Sequence, residues 1–116
     1  MAPSKTEKLR AVQELAQLTI PALTPIRRAF DAAAAVDPEL AVAWREYEAR
    51  RYQDMRAMVG SFRPWLREDL DVDRATDVVW AVLGEATADA LINRRGWTVE
   101  QYADWVADSI DRLLLR

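Results

Sequence analysis

Apolar positions recur every three or four residues from one end of this 116-residue chain to the other, the spacing of a buried stripe on an α-helix. Leu9, Val12, Leu15 and Leu18 open the pattern, and Ser4 with Glu7 supplies a capping box in front of it. Pro21 is expected to end this first helix. Thr24-Pro25 is an N-cap followed by proline at the first helical position, where a missing N–H is harmless, so a short second helix is predicted to about Val36. Asp37-Pro38 repeats that signal for a long third helix reaching Phe62, with Gly60 and Pro64 marking its end. Residues 67–72 read as a polar connection. Asp71 or Asp73 caps a fourth helix, and a fifth runs from Val99 to about Leu115. No stretch alternates with period two and no repeat of fixed period is present, so the expected fold is all-α: five helices in one domain spanning residues 1–116.

The junction of the last two helices carries the densest local signals. Gly96 stands where a helix C-terminus takes a left-handed residue, and Thr98 with Gln101 is a second capping box. Trp97 between them is placed to meet the turn near Ile92 on one side and Tyr102 on the other. Such a ring fixes the angle between two helices.

Two faces raise questions of burial. On the third helix, Leu40, Trp44, Tyr47, Arg51, Met55, Met58 and Phe62 share one side, and a guanidinium in an apolar stripe needs a partner. Asp77 on the fourth helix, on the face of Trp80, is the candidate. The pair reads either as a clamp between helices or as charge inside a ligand cavity. The fourth helix is apolar nearly all round, and Ala75, Val79, Val82, Ala86 and Ala90 form a seam of small side chains suited to another helix. Val106, Ile110 and Leu113 continue a stripe on the fifth, with Trp105 to one side. A chain this short has little surface with which to cover both helices, so the expectation is a homodimer built on them.

Composition narrows the chemistry. There is no Cys and no His, which removes thiolate sites, disulfides, the commonest general base and the commonest metal ligand. No cofactor or metal is expected. Apolar runs such as residues 78–83 are far too short for a bilayer and no signal peptide opens the chain, so a cytoplasmic protein without membrane contact is expected. The net charge of −3 hides an asymmetry. Residues 1–67 carry 11 basic and 8 acidic side chains, residues 68–116 carry 5 and 11, and the simplest reading is two halves that attract each other.

The string from Asp71 through Trp80 to Leu83, then Arg95-Gly96-Trp97-Thr98 and Tyr102-Ala103-Asp104-Trp105, resembles the C-terminal effector-binding and dimerisation domain of TetR-family transcriptional regulators. The stretch from Ala33 through Pro38 and Trp44 to Arg50-Arg51 and Asp54-Met55 is similar to the same domain. The resemblance implies that the last two helices pair with their symmetry mates as a four-helix bundle, and that the others enclose a pocket for a small, often apolar, effector. It makes Trp44, Tyr47 and Met55, with Trp80 opposite and Phe30, Arg51 and Asp77 nearby, the candidate lining of that pocket. The family's helix-turn-helix has no counterpart in these residues, because residues 1–20 read as a single amphipathic helix. The chain itself is therefore expected not to contact nucleic acid.

Other functions fit less well. A short helical interaction protein, pairing with itself or with a full-length relative and holding no ligand, is the alternative. Catalysis would rest on carboxylates, Arg, Tyr and hydroxyls alone, so no enzyme is expected. Asp69, Asp71 and Asp73 lack the glycine and glutamate of a calcium loop. Arg45, Arg56, Arg63 and Arg67, with Tyr52 nearby, could line single-stranded nucleic acid, but interleaved Glu46, Glu48 and Asp54 make them a solvated helix face.

Overall fold

The computed structural model describes residues 3–116, and among them there are helices and no strand. Helix α1 spans Lys5–Ala34 and α2 Pro38–Gly60; a 3-10 turn, Arg63–Trp65, leads to α3, Val72–Val82. A short α4, Glu85–Ala88, continues into a π-helical segment, Asp89–Arg94, before α5, Val99–Leu114. The all-α reading holds, and the helix starts fall where capping chemistry puts them. The Oγ of Ser4 accepts from the Glu7 N–H, Asp37 from Glu39 and Leu40, and Asp71 from Arg74. Thr98 and Gln101 form the full reciprocal box. Gly96 has φ of +77°, and the Trp97 N–H bonds back to the Leu91 carbonyl at 2.9 Å, a left-handed helix ending one residue wider than the usual six-residue closure, after a π-helical turn. The half-buried Trp97 ring meets Trp105 edge-on at 6.1 Å.

Two boundaries differ from expectation. The predicted first and second helices are one, because α1 runs straight through Pro21 and Pro25. Each proline removes one hydrogen bond, but both rings lie on the exposed side, where water reaches the freed carbonyls. Val12, Ala16 and Ile20 meanwhile stay on a continuous buried line. The expected fourth helix is instead broken at Gly84, whose extended ψ of 148° separates α3 from α4.

The break is held by side chains. A helix ends with carbonyls that lack partners, and three consecutive ones here each accept a side-chain bond. Thr87 Oγ1 donates to Ala81 at 2.7 Å, Tyr102 Oη to Val82, and an Arg51 Nη to Leu83 at 3.0 Å.

The core lies where α5 packs against α1 and α3. Val79, Ala75, Tyr102, Ala103 and Val106 are wholly enclosed, with Ile110 and Leu114 almost so. Burying each such large aliphatic side chain contributes about 1.5–3 kcal/mol. The chain end is tied down as well: Leu66 and Leu115 form a single antiparallel bridge, and Lys5 reaches both the Arg116 carbonyl and Asp111.

The charge asymmetry is used across the fold. Lys5–Asp111, Arg28–Asp89 and Arg56–Asp73 each join the basic N-terminal half to the acidic C-terminal half, at 3.3, 2.9 and 2.7 Å. Such exposed pairs contribute about 0–1 kcal/mol apiece, so they orient the helices more than they stabilise them. No helix among the described residues is long and apolar enough to cross a membrane.

Candidate functional site

The geometry that breaks α3 also shapes a cavity. α2 and α3 cross so that Trp44, Tyr47 and Arg51 of α2 face Trp80 of α3 and Gly84 just beyond its end. With Arg27 of α1, Glu48 of α2 and Glu85 of α4 they line a hollow of about 390 Å3. The aromatic side is ordered by stacking: Phe30 lies on Trp44 at 5.3 Å and Trp44 on Tyr47 at 5.4 Å, both pairs inclined by 27°. The Arg27 Nε donates to the Tyr47 hydroxyl at 2.8 Å and fixes that ring in turn. Opposite, the Arg51 guanidinium lies over the Trp80 indole, 4.6 Å from its centroid, within the range of a cation–π contact.

Arg51 therefore has no need of Asp77. Its positive charge sits at the C-terminus of α3, the negative end of the helix dipole, and bonds the Leu83 carbonyl there. The expected Arg51–Asp77 pair is not formed. Asp77 is exposed and accepts from the Tyr52 hydroxyl at 3.0 Å, while the ion pair joining α2 to α3 is Arg56–Asp73. Asp77 projects from the solvent side of α3, one turn from the residues that enter the cavity.

Four of the seven residues expected at a pocket, Trp44, Tyr47, Arg51 and Trp80, share this one cavity. Phe30 supports Trp44 from behind. Met55 does not take part, since it is buried in the core one turn further along α2. Arg27, Glu48 and Glu85 escaped the sequence reading, because a polar residue on an amphipathic helix carries no sign of what it will face. The cavity lining carries two arginines, Arg27 and Arg51, and two glutamates, Glu48 and Glu85. Burial, and after it the neighbouring Arg27, holds the Arg51 pKa below its ordinary value. Burial, and after it Asp31, pushes the Glu85 carboxyl up. Among the described residues neither Arg27 nor Arg51 forms an ion pair within 4 Å, and neither do Glu48 and Glu85. The site thus offers flat aromatic walls, a guanidinium fork and a carboxyl with unused bonding capacity, the combination that orients a small molecule.

A second hollow, about 480 Å3, lies between α1 and the π-helical segment, walled by Ile20, Pro21, Pro25, Ala88, Ile92 and Val99 with Arg28 and Asn93 at its edge. It has no aromatic wall, and Arg28 is its one charged lining residue.

The residues expected at a dimer interface divide sharply. Ala75, Val79, Val106 and Ile110 are at most 1 % exposed and Val82 8 %. These five are covered by their own chain and have no side-chain surface left for a partner. The seam points inward because α1 lies along α5, where Val12, Ala16 and Ile20 close the core. Ala86 and Leu113 remain at the surface, with Ala90 and Trp105 half-buried. Set beside protein-family models, curated proteins and solved structures, the chain matches none of them.

Proposed function

We propose that this chain is the ligand-sensing and dimerisation part of a TetR-like transcriptional regulator working in the cytoplasm. The observation that carries the sensing half is the meeting of Trp44, Tyr47, Arg51 and Trp80 on one cavity, at positions the resemblance makes pocket residues. The ligand class that suits it is a small, flat, largely apolar molecule with one polar group for Arg27 or Glu85.

A route from binding to conformation follows from the same contacts. Arg51 forms part of the cavity wall and also holds the carbonyl of Leu83, which caps α3. A molecule that draws its guanidinium inward loosens that hold and favours another angle at Gly84. The shift is limited to the ligand's differential affinity for the two arrangements.

Titrating such molecules while following Trp emission tests the reading. Expected are saturable changes, a rise in melting temperature, and loss of both in Trp44→Leu and Trp80→Leu. A broad panel that moves neither emission nor melting temperature overturns it. The second reading, an interaction module without ligand, is favoured by one specific observation: Leu15, Leu18 and Ile26 of α1 stand exposed.

A further inference from the structure

With the expected seam turned inward, three of the exposed large apolar side chains gather on α1, while Val36, Val42 and Leu113 stand apart from them. Leu15, Leu18 and Ile26 are 60 %, 73 % and 63 % exposed. Ala11, Ala22 and Ala29 are exposed too, and at helical spacing all six share one face, opposite the buried line of Val12, Ala16 and Ile20. From Ala11 to Ala33 no charged residue interrupts it. An unbroken apolar strip of this length is unusual on a monomer's surface.

The strip is self-complementary. Turned end for end about Ala22, Leu18 falls opposite Ile26, Leu15 opposite Ala29, and Ala11 opposite Ala33, so large side chains meet each other near the middle or meet alanines further out. Ala22 meets its own copy, which lets the two backbones approach closely. Charge agrees with this register. Glu14 borders the strip in its first half and Arg28 borders the same side in its second, and an antiparallel pair brings each against the other. Arg28 also holds Asp89, yet its side chain is 52 % exposed, leaving donors free for a second carboxylate.

We infer that α1 is a self-association surface, pairing antiparallel with α1 of a second copy about a twofold axis at Ala22. This rests on the reading that the chain pairs with itself and moves the contact away from the last two helices. From Ala11 to Ala33 the strip is about 33 Å long and a helix about 11 Å wide. The buried area is then on the order of 700 Å2 in total, below that of stable specific interfaces and in the range of weak, transient ones. The pair is therefore in concentration-dependent exchange, not obligate.

The chain has no native cysteine, so a single introduced thiol reports the register. Ala22→Cys should cross-link to itself under mild oxidation, and Ala57→Cys, an exposed alanine on α2, should not. Leu18→Cys mixed with Ile26→Cys should cross-link more than either alone. In sedimentation, Leu18→Glu with Ile26→Glu should raise the dissociation constant about tenfold or more, with the far-ultraviolet spectrum unchanged. Glu14→Arg should weaken pairing and added Arg28→Glu should restore it. A wild-type chain that stays monomeric to about 1 mM overturns this inference and the dimerisation half of the proposed function together. A dimer indifferent to the α1 substitutions, without selective cross-linking at position 22, overturns this inference alone. The ligand titration is independent of both.

Discussion

Arg51 of α2 donates to the Leu83 carbonyl at 3.0 Å, so one long helix holds the end of another that breaks one residue later. The same guanidinium stacks on Trp80. Removing it leaves a part-buried carbonyl without its partner and an indole without its cation, costs of about 1–2 kcal/mol and about 0.5–1 kcal/mol. Arg51→Met should lower stability to chemical denaturation by that combined order and shift Trp emission. Asp77→Asn, on an exposed side chain that does not touch Arg51, should stay within about 0.5 kcal/mol of the parent. Equal losses in the two variants would restore the Arg–Asp clamp.

That contrast shows which parts of the molecule were legible in the sequence. Helix starts at Ser4, Asp37, Asp71 and Thr98, and the left-handed Gly96, depend on residues within four positions of each other, so the string contains their whole cause. The aromatic cavity was half legible, because Trp44, Tyr47 and Arg51 repeat along one helix face. What each of them meets was not, since a side chain's partner is decided by packing between distant segments. Arg51 needed an anionic partner, and the partner is a helix C-terminus, which no residue letter records. The first helix misleads in the same way. It carries apolar residues on two sides, and periodicity alone does not tell whether Leu15 and Leu18 or Ala16 and Ile20 face inward. Pro21 and Pro25 looked like boundaries because the local cost of proline is known, whereas the gain from an uninterrupted buried line is not local.

Tyr102 is wholly buried and bonds the Val82 carbonyl, and burial raises its pKa from 10.0 to about 12. The folded form thus keeps a proton that the unfolded form releases near pH 10. Tyr102 contributes its full share of stability below that pH and loses it as pH rises through about 12. The loss is on the order of 2 kcal/mol. Denaturation measured from pH 9 upward should show this decline in the parent, and ultraviolet titration should show a late-ionising phenol in addition to Tyr52, whose bond to Asp77 also raises its pKa. Tyr102→Phe should be less stable at neutral pH by about 1–3 kcal/mol, from the unpartnered carbonyl, but with a flatter alkaline slope. Parallel slopes in the two proteins would assign the late ionisation to another tyrosine.

Gly96 and Gly84 should answer alanine differently. At Gly96 an added Cβ meets nothing within 4 Å, but φ is +77°, so Gly96→Ala carries only the backbone penalty of about 1–2 kcal/mol. Gly96→Asn should recover part of it, because Asn tolerates the left-handed region. At Gly84 the backbone is unstrained, and the Cβ comes 3.1 Å from the Trp80 carbonyl and 3.2 Å from that of Ala81. Gly84→Ala therefore presses on the end of α3, and its effect should appear in ligand titration as well as in melting. Melting curves of the three variants, with a ligand titration of the two alanine forms, separate strain in a turn from pressure on the cavity.

A charge placed in the former seam distinguishes core from interface most sharply. Val79 is wholly enclosed by its own chain, between Ala75, Thr76 and the α5 residues that fill the core. Val79→Asp puts a carboxylate where no donor waits, at a cost of several kcal/mol. A small domain has on the order of 5–15 kcal/mol of stability in all, so most of the population should unfold or become molten. The loss should not depend on protein concentration, because no partner's surface is involved. An interface residue behaves in the opposite way, leaving the monomer folded and moving only the association constant. Circular dichroism at two concentrations about a hundredfold apart decides between them. Equal unfolding at both places Val79 in the core of a self-sufficient subunit. A variant that is folded and merely monomeric returns the last two helices to the dimer interface.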